Sequence, residues 1–159
     1  MKLLVMSDSH GNISRMRYAV EREMPDVIIH LGDHISDARE LRGMYPEPAC
    51  YMVKGNCDVN MAGETELFLN LGGVPVFITH GHRYSVKSGL GPLFKRAREL
   101  QAAIALYGHT HQDMIWQASG LWLMNPGQML RHDSIVPASY GVIVIEGGAF
   151  DCRLEYLPL

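Results

Sequence analysis

Apolar and polar positions along this chain follow two grammars. Up to about residue 60, short unbroken apolar runs alternate with stretches patterned at helical spacing. Residues 2–7 (KLLVMS) are apolar almost throughout and end in a Ser/Asp/His/Gly cluster, which predicts a strand buried on both faces. Gly11 and Asn12 then turn into a predicted helix whose apolar positions Ile13, Met16, Ala19 and Val20 share one face; Pro25 ends it. A second strand follows at 27–31, a short helix near 37–44, a Pro-rich turn, and a third strand at 49–53. Strand–helix–strand–helix–strand order predicts parallel pairing through right-handed crossovers.

Beyond residue 62 the pattern changes. Residues 64–71 alternate polar and apolar, and Gly72-Gly73 turns them into a run at 74–79, the pattern of a hairpin. Residues 92–101 read as a helix and 103–107 as a strand. The remainder reads as β, with strands at 113–118, 121–124, 140–146 and 149–156, and turns at Ser119-Gly120 and Gly147-Gly148. No repeat or linker interrupts the pattern. The expectation is one domain over residues 1–159, built from two packed sheets with helices outside.

Composition narrows the class. At 47% apolar residues the chain can bury a core. A net charge of −3 and a pI near 6.2 carry no footprint of bulk nucleic-acid binding. Cys50, Cys57 and Cys152 form no CxxC pair, and an odd count argues against a disulfide framework, which fits a reducing compartment. No apolar run approaches the ~20 residues of a membrane span, and the run from Leu3 to Met6 is too short for a signal-peptide core. The expected location is cytoplasmic, away from the membrane. The ten methionines form no stripe and read as fillers of core gaps.

The chemistry lies where the apolar runs stop. Five of them end on Asp, His or Asn: Asp8 with His10, Asp33, Asn56, His80 with His82, and His109 with His111. In open α/β sheets ligands bind beyond the carboxyl ends of the strands. Each ending has a plainer reading: a turn and helix cap for Asp8-Ser9-His10, an N-cap for Asp33, a tight turn for Gly55-Asn56. Together they supply oxygen and imidazole donors suited to Mn, Fe, Zn, Co or Ni. A carboxylate has two oxygens and can bridge two cations, which two-metal sites place about 3.5–4 Å apart.

Asp8-Ser9-His10-Gly11-Asn12, Gly32-Asp33, Gly55-Asn56-Cys57-Asp58, His80-Gly81-His82 and Gly108-His109-Thr110-His111 resemble, in order, the signature of the calcineurin-like metallophosphoesterases. The likeness is greatest to the small, single-domain prokaryotic phosphodiesterases, and extends to about Gly127 through Asn125-Pro126-Gly127. It implies a four-layer α/β/β/α sandwich of two mixed sheets flanked by helices. It also implies that Asp8, His10 and His111 hold one divalent metal, that Asn56, His80 and His109 hold another, and that Asp33 bridges them; Mn²⁺ is the expected ion. Many members carry His after the Gly-Asn pair, where it contacts substrate and protonates the leaving group. Here Cys57 stands there, so the acid is unassigned.

The expected reaction is hydrolysis of a small phosphodiester by in-line attack of a hydroxide shared between the metals. Asn56 and His82 are the catalytic candidates. His82 reads alternatively as a partner of a ligand or a surface residue. Asn12 and Cys57 are candidate substrate contacts; Asn12 reads equally as a helix cap, and Cys57 as a small buried apolar residue. Asp58 and Asp37 are candidate acceptors that would fix a histidine tautomer, Asp37 reading also as an exposed helix residue. His34 borders the expected pocket, His30 reads as a packed core residue, and Arg131 and His132 as loop charges or substrate contacts. The competing functions are a phosphomonoesterase, a protein-interaction scaffold on the same fold, and a closed structural metal site. A homo-oligomer is compatible with the sequence.

Overall fold

The computed structural model describes residues 1–130 and 135–158. Five strands, β1 (Lys2–Met6), β2 (Val27–His30), β3 (Ala49–Met52), β9 (Ser139–Glu146) and β10 (Ala149–Tyr156), form one sheet in the order β10-β9-β1-β2-β3. The second sheet has the order β4-β5-β6-β8-β7, from β4 (Glu66–Leu71), β5 (Val74–Thr79), β6 (Ile104–Leu106), β7 (Met114–Ala118) and β8 (Leu121–Asn125). β1, β2 and β3 pair in parallel, and so do β5, β6 and β8; β9, β10, β4 and β7 pair antiparallel, so both sheets are mixed. Helices α1 (Ile13–Glu23) and α2 (Ile35–Met44) lie against the first sheet, and α3 (Gly91–Glu99) against the second.

Strand parity explains the four layers. Side chains alternate across a strand, so Leu3 and Val5 of β1 and Ile29 of β2 meet Val76, Ile78, Ile104 and Leu106 between the sheets. Their neighbours Leu4, Met6 and Ile28 point the other way, onto Met16, Ala19 and Val20 of α1 and Leu41 of α2. Phe77 and Ala105 likewise leave the central layer for Leu93 and Ala97 of α3. Central strands that bury both faces read as continuous apolar runs, which is why the sequence showed no alternation there. Each fully buried Leu or Ile contributes roughly 1.5–3 kcal/mol.

Three local features depart from the expectations or add to them. β3 lies at the edge of its sheet, with Ala49 exposed and Cys50, Tyr51 and Met52 half-buried. A short apolar run there carries less burial than those of β1 and β2. α2 begins at Ile35 and not near Asp37, because its first amides are satisfied from a distant residue, described below. A 3₁₀ turn at His82–Tyr84 follows β5 and was absent from the predicted elements. Among the described residues no helix is long and apolar enough to cross a membrane.

Candidate metal centre

The parallel strands of both sheets end at one edge of the sandwich, and all seven expected donors meet there. Asp8, His10, Asp33 and His111 offer donor atoms within 4.8 Å of one another, and so do Asp33, His80 and His109. Asp33 belongs to both groups. Its Oδ2 lies 4.0 Å from His10 Nε2 and 3.5 Å from His80 Nε2. His111 Nε2 lies 3.0 Å from Asp8 Oδ1. His80 Nε2 is 3.2 Å from His109 Nδ1 and 3.1 Å from Asn56 Oδ1.

These donors suit cations on several grounds. Two donors about 2.1 Å from one ion stand about 3.0 Å apart at a right angle and about 3.4 Å apart at the tetrahedral angle; the contacts of His80 Nε2 with His109 and Asn56 and the Asp8–His111 contact fall in that range. His10 Nε2 is shut off from solvent without a hydrogen bond among the described residues, a costly state for a polar atom that nothing else satisfies. The donor set of carboxylate, imidazole and amide oxygen is the mixed N/O chemistry of divalent transition ions.

The backbone is bent to deliver these side chains. Asp8, His10, Asp33, His109 and His111 all have φ between 45° and 70°, as does His34. Left-handed backbone costs an L residue roughly 1–2 kcal/mol, and such residues gather at functional sites. Two glycines permit the bend. A Cβ on Gly55 would fall on the Asp33 carboxylate and amide, and one on Gly32 would fall 2.5 Å from the Gly55 nitrogen.

Second contacts fix the donors. His80 Nδ1 lies 2.7 Å from the Leu31 carbonyl; a carbonyl only accepts, so Nδ1 carries the proton and Nε2 keeps its lone pair for the site. His30 is fully buried: its Nδ1 accepts from the Gly32 amide at 3.3 Å, so Nε2 donates to Ser9 Oγ at 2.9 Å. The core reading of His30 therefore holds, with a polar pair joining the loops after β1 and β2. Burial, above all, brings its pKa down to about 4.

The two acids expected to orient histidines do something else. Asp58 is buried and accepts four backbone N–H groups: Asp33 at 3.0 Å and Gly55 at 2.8 Å on Oδ2, His34 and Ile35 at 3.0 Å each on Oδ1. It caps α2 from outside that helix and ties the Asp33 loop to the Asn56 loop. Asp37 is also buried, not exposed, and accepts the Gly11 amide at 2.8 Å. Both carboxylates thus brace backbone by accepting amides of these loops. Asn125, fully buried, donates to the Gly108 carbonyl at 3.1 Å and Thr110 Oγ1 at 3.0 Å, and holds the loop of His109 and His111.

Charge follows the geometry. Burial alone would raise the Asp8 pKa; His111, His80 and Ser7 outweigh it and bring it to about 2. Burial, then His80 and the Lys87 ammonium, brings His109 down to about 4. Burial lowers His10 and His82 as well. His111 alone of these histidines is raised, by the Asp8 carboxylate against its ring.

The remaining candidates fall around the rim. His82 stands beside His80 and His109, with ring centroids 5.3 and 6.1 Å away and a buried Nδ1 that makes no hydrogen bond among the described residues. His34 lies against His10 at 4.8 Å, as expected for a residue bordering the pocket. Cys57 is exposed, which corrects the buried apolar reading; its amide donates to Asp33 Oδ1 at 3.0 Å, and burial and the Asp33 charge push its thiol pKa up. Asn12 occupies the N-cap position of α1 without a side-chain cap bond; its Nδ2 donates to the Ser9 carbonyl at 3.3 Å. The helix-cap reading of Asn12 holds in position but not in a side-chain bond, and that of Asp33 fails, since the N-cap position of α2 is His34. Arg131 and His132 lie outside the described residues. Sequence reasoning missed Lys87, whose charge reaches His109 and His111; it follows the His-Gly-His motif by several residues and carries no local signature.

Comparison with known proteins agrees with this geometry. The chain is 32% identical over 156 residues to a probable metallophosphoesterase, YsnB, of Bacillus subtilis (strain 168), covering 96% of this chain and 89% of the relative. It is 26% identical over 159 residues to a phosphodiesterase of Methanocaldococcus jannaschii, covering 86% and 89%. The fold matches a solved Streptococcus pneumoniae TIGR4 protein described as a predicted phosphoesterase, with a TM-score of 0.79 and 29% identity over 98% of this chain and 88% of that one. Residues 1–148 match the model of the calcineurin-like phosphoesterase superfamily domain, and with the donors of that signature gathered at one sheet edge, the chain belongs to the calcineurin-like metallophosphoesterase superfamily.

Proposed function

We propose that this protein is a phosphodiesterase with two divalent cations, acting on a small phosphodiester. The observation that carries the reading is the shared Asp33, whose carboxylate joins two clusters of donors. Asp8, His10 and His111 hold one ion, Asn56, His80 and His109 the other, and Asp33 spans both. Mn²⁺ is the expected ion, with Fe, Zn, Ni or Co compatible with the same donors. Bound there, the pair of cations supplies a water nucleophile near neutral pH and neutralises charge on the phosphoryl oxygens.

The chain's own groups do the rest. The Leu31 carbonyl keeps His80 in the tautomer that presents Nε2. Asp58 holds the Asp33 and Asn56 loops at fixed separation. His82 and Asn56 face the reacting phosphoryl group, and Asn12 and the exposed Cys57 stand at the rim as substrate contacts. The substrate is a diester rather than a monoester by analogy with the Methanocaldococcus jannaschii relative, at 26% identity. The whole chain acts as one domain, and the expected compartment is the cytoplasm.

The test is hydrolysis of bis(4-nitrophenyl) phosphate with Mn²⁺, before and after chelation, alongside 4-nitrophenyl phosphate. Metal-dependent turnover favouring the diester is expected, with loss of at least 100-fold in Asp33→Ala, on the order expected for removing a bridging ligand. Full activity in Asp33→Ala overturns the bridging role; preference for the monoester replaces the substrate class; no turnover with any of the named ions leaves the scaffold reading in its place.

A further inference from the structure

A groove runs away from the donor cluster along the outer face of the second sheet. Its near part, about 210 Å³, is walled by Val86, Leu90, Met114 and Thr110, and Thr110 is the residue between His109 and His111. Leu90 and Met114 also wall a second hollow of about 490 Å³, completed by Phe94 and Trp116. The two are therefore one continuous surface that begins at the donor loop. The far end is aromatic: Phe94 and Trp116 stand with ring centroids 5.9 Å apart and planes tilted by 55°. Trp116 lies on β7, the edge strand, and is 43% exposed, a large apolar side chain left uncovered. Lys87, next to Val86 of the near wall, is exposed, and its charge reaches His109 and His111 of the donor loop.

Those features describe an amphiphile: an anion at the donor end, a flat apolar body beyond it. Resting on the phosphoesterase reading above, we propose that this groove is the subsite for the organic group of the substrate, that this group is a planar aromatic ring such as a nucleobase, and that Lys87 holds a phosphoryl oxygen at its mouth. A ring fits better than an alkyl chain. The groove is open on one side, and its far end is made of aromatic rings. Ring stacking on exposed aromatics tolerates many bases, so the subsite favours nucleoside-type groups as a class.

The chain has two tryptophans, and Trp122 packs half-buried against Phe150 at 6.0 Å, away from the groove. In Trp122→Phe, Trp116 is then the sole tryptophan reporter. Adenosine 5′-monophosphate is expected to quench its fluorescence saturably, inorganic phosphate not to quench it, and adenosine to bind about tenfold more weakly, the factor expected for losing one charge-assisted contact. Lys87→Gln is expected to raise the Kd for the nucleotide about tenfold while leaving that for adenosine unchanged. Calorimetric titration of the wild type against Trp116→Leu gives the same comparison without the Trp122 substitution. Absence of saturable quenching, equal quenching by phosphate, or a nucleotide Kd indifferent to both Lys87 and Trp116 overturns the proposal. Bis(4-nitrophenyl) phosphate turnover by the same preparation is read separately. Turnover without nucleotide binding sinks the subsite alone, whereas nucleotide binding without turnover sinks the phosphodiesterase reading and leaves an aromatic phosphate site.

Discussion

Substituting Asp58 by Asn isolates the brace beneath the candidate metal centre. The carboxylate accepts from Asp33 and Gly55 on one oxygen and from His34 and Ile35 on the other, at 2.8–3.0 Å. An amide is nearly isosteric but has only one accepting end. Whichever way it turns, its NH₂ faces two backbone N–H groups, and two acceptor bonds become donor–donor contacts. A hydrogen bond to a charged group contributes about 1.5–3 kcal/mol, and the buried amides left unpaired cost more. A loss of about 3–5 kcal/mol follows, equivalent to a fall in Tm of about 6–20 °C for a chain of this size. The assay is urea unfolding of the metal-free protein by circular dichroism, paired with metal titration against a competing chelator. Because the same oxygen fixes the Asp33 amide, metal affinity is expected to drop about 10–100-fold. If Asp58→Asn unfolds within about 0.5 kcal/mol of the wild type and binds metal equally well, the backbone-bracing role is refuted.

Three further outcomes follow from the structure. Gly55→Ala places a methyl group on the Asp33 carboxylate and amide, so metal binding and stability should both collapse, measured by chelator competition and thermal melting. Gly43, inside α2 with open space around it, is the control: Gly43→Ala should stabilise the protein by about 0.5–1 kcal/mol. His30 titrates near 4 when folded and near 6.5 when unfolded, so below 6.5 the unfolded chain binds the extra proton. Its contribution is therefore full above pH 6.5 and fades as pH falls towards 4, by about 3 kcal/mol. Urea unfolding of the metal-free protein across that window should slope less in His30→Gln; parallel pH profiles for the two proteins would remove His30 from the account.

The layered fold was legible because parity and length settle it. Leu3, Leu4, Val5 and Met6 can be unbroken only where both faces of a strand are covered, and the alternating residues 66–71 can only be a strand with one wet face. All seven donors were legible too, since each ends an apolar run. What was not legible depends on partners far apart in the chain. Asp58 lies twenty-three residues beyond Ile35, whose amide it caps, so no local rule could start α2 correctly. β3 reads as apolar as β2 and yet lies at the edge, because strand order is set by the crossovers and not by the run itself. Lys87 and Trp116 carry no motif; they matter only through the loop and edge strand that bring them to the groove.

The bracing acids also bear on why the centre tolerates its own strain. Asp8, His10, Asp33, His109 and His111 hold backbone that a helix or strand would not adopt, and His10 Nε2 is buried without a hydrogen bond among the described residues. The acids nearby are already committed to amides: Asp58 to four, Asp37 to one, and Asp8 Oδ2 to the His109 amide at 3.2 Å. A cation held among these donors would meet Asp8 Oδ1 and His10 Nε2 together, and its binding would release strain that the braces hold in place. Metal affinity and fold stability are then two readings of one free energy, and a substitution that loosens a brace should weaken both in proportion.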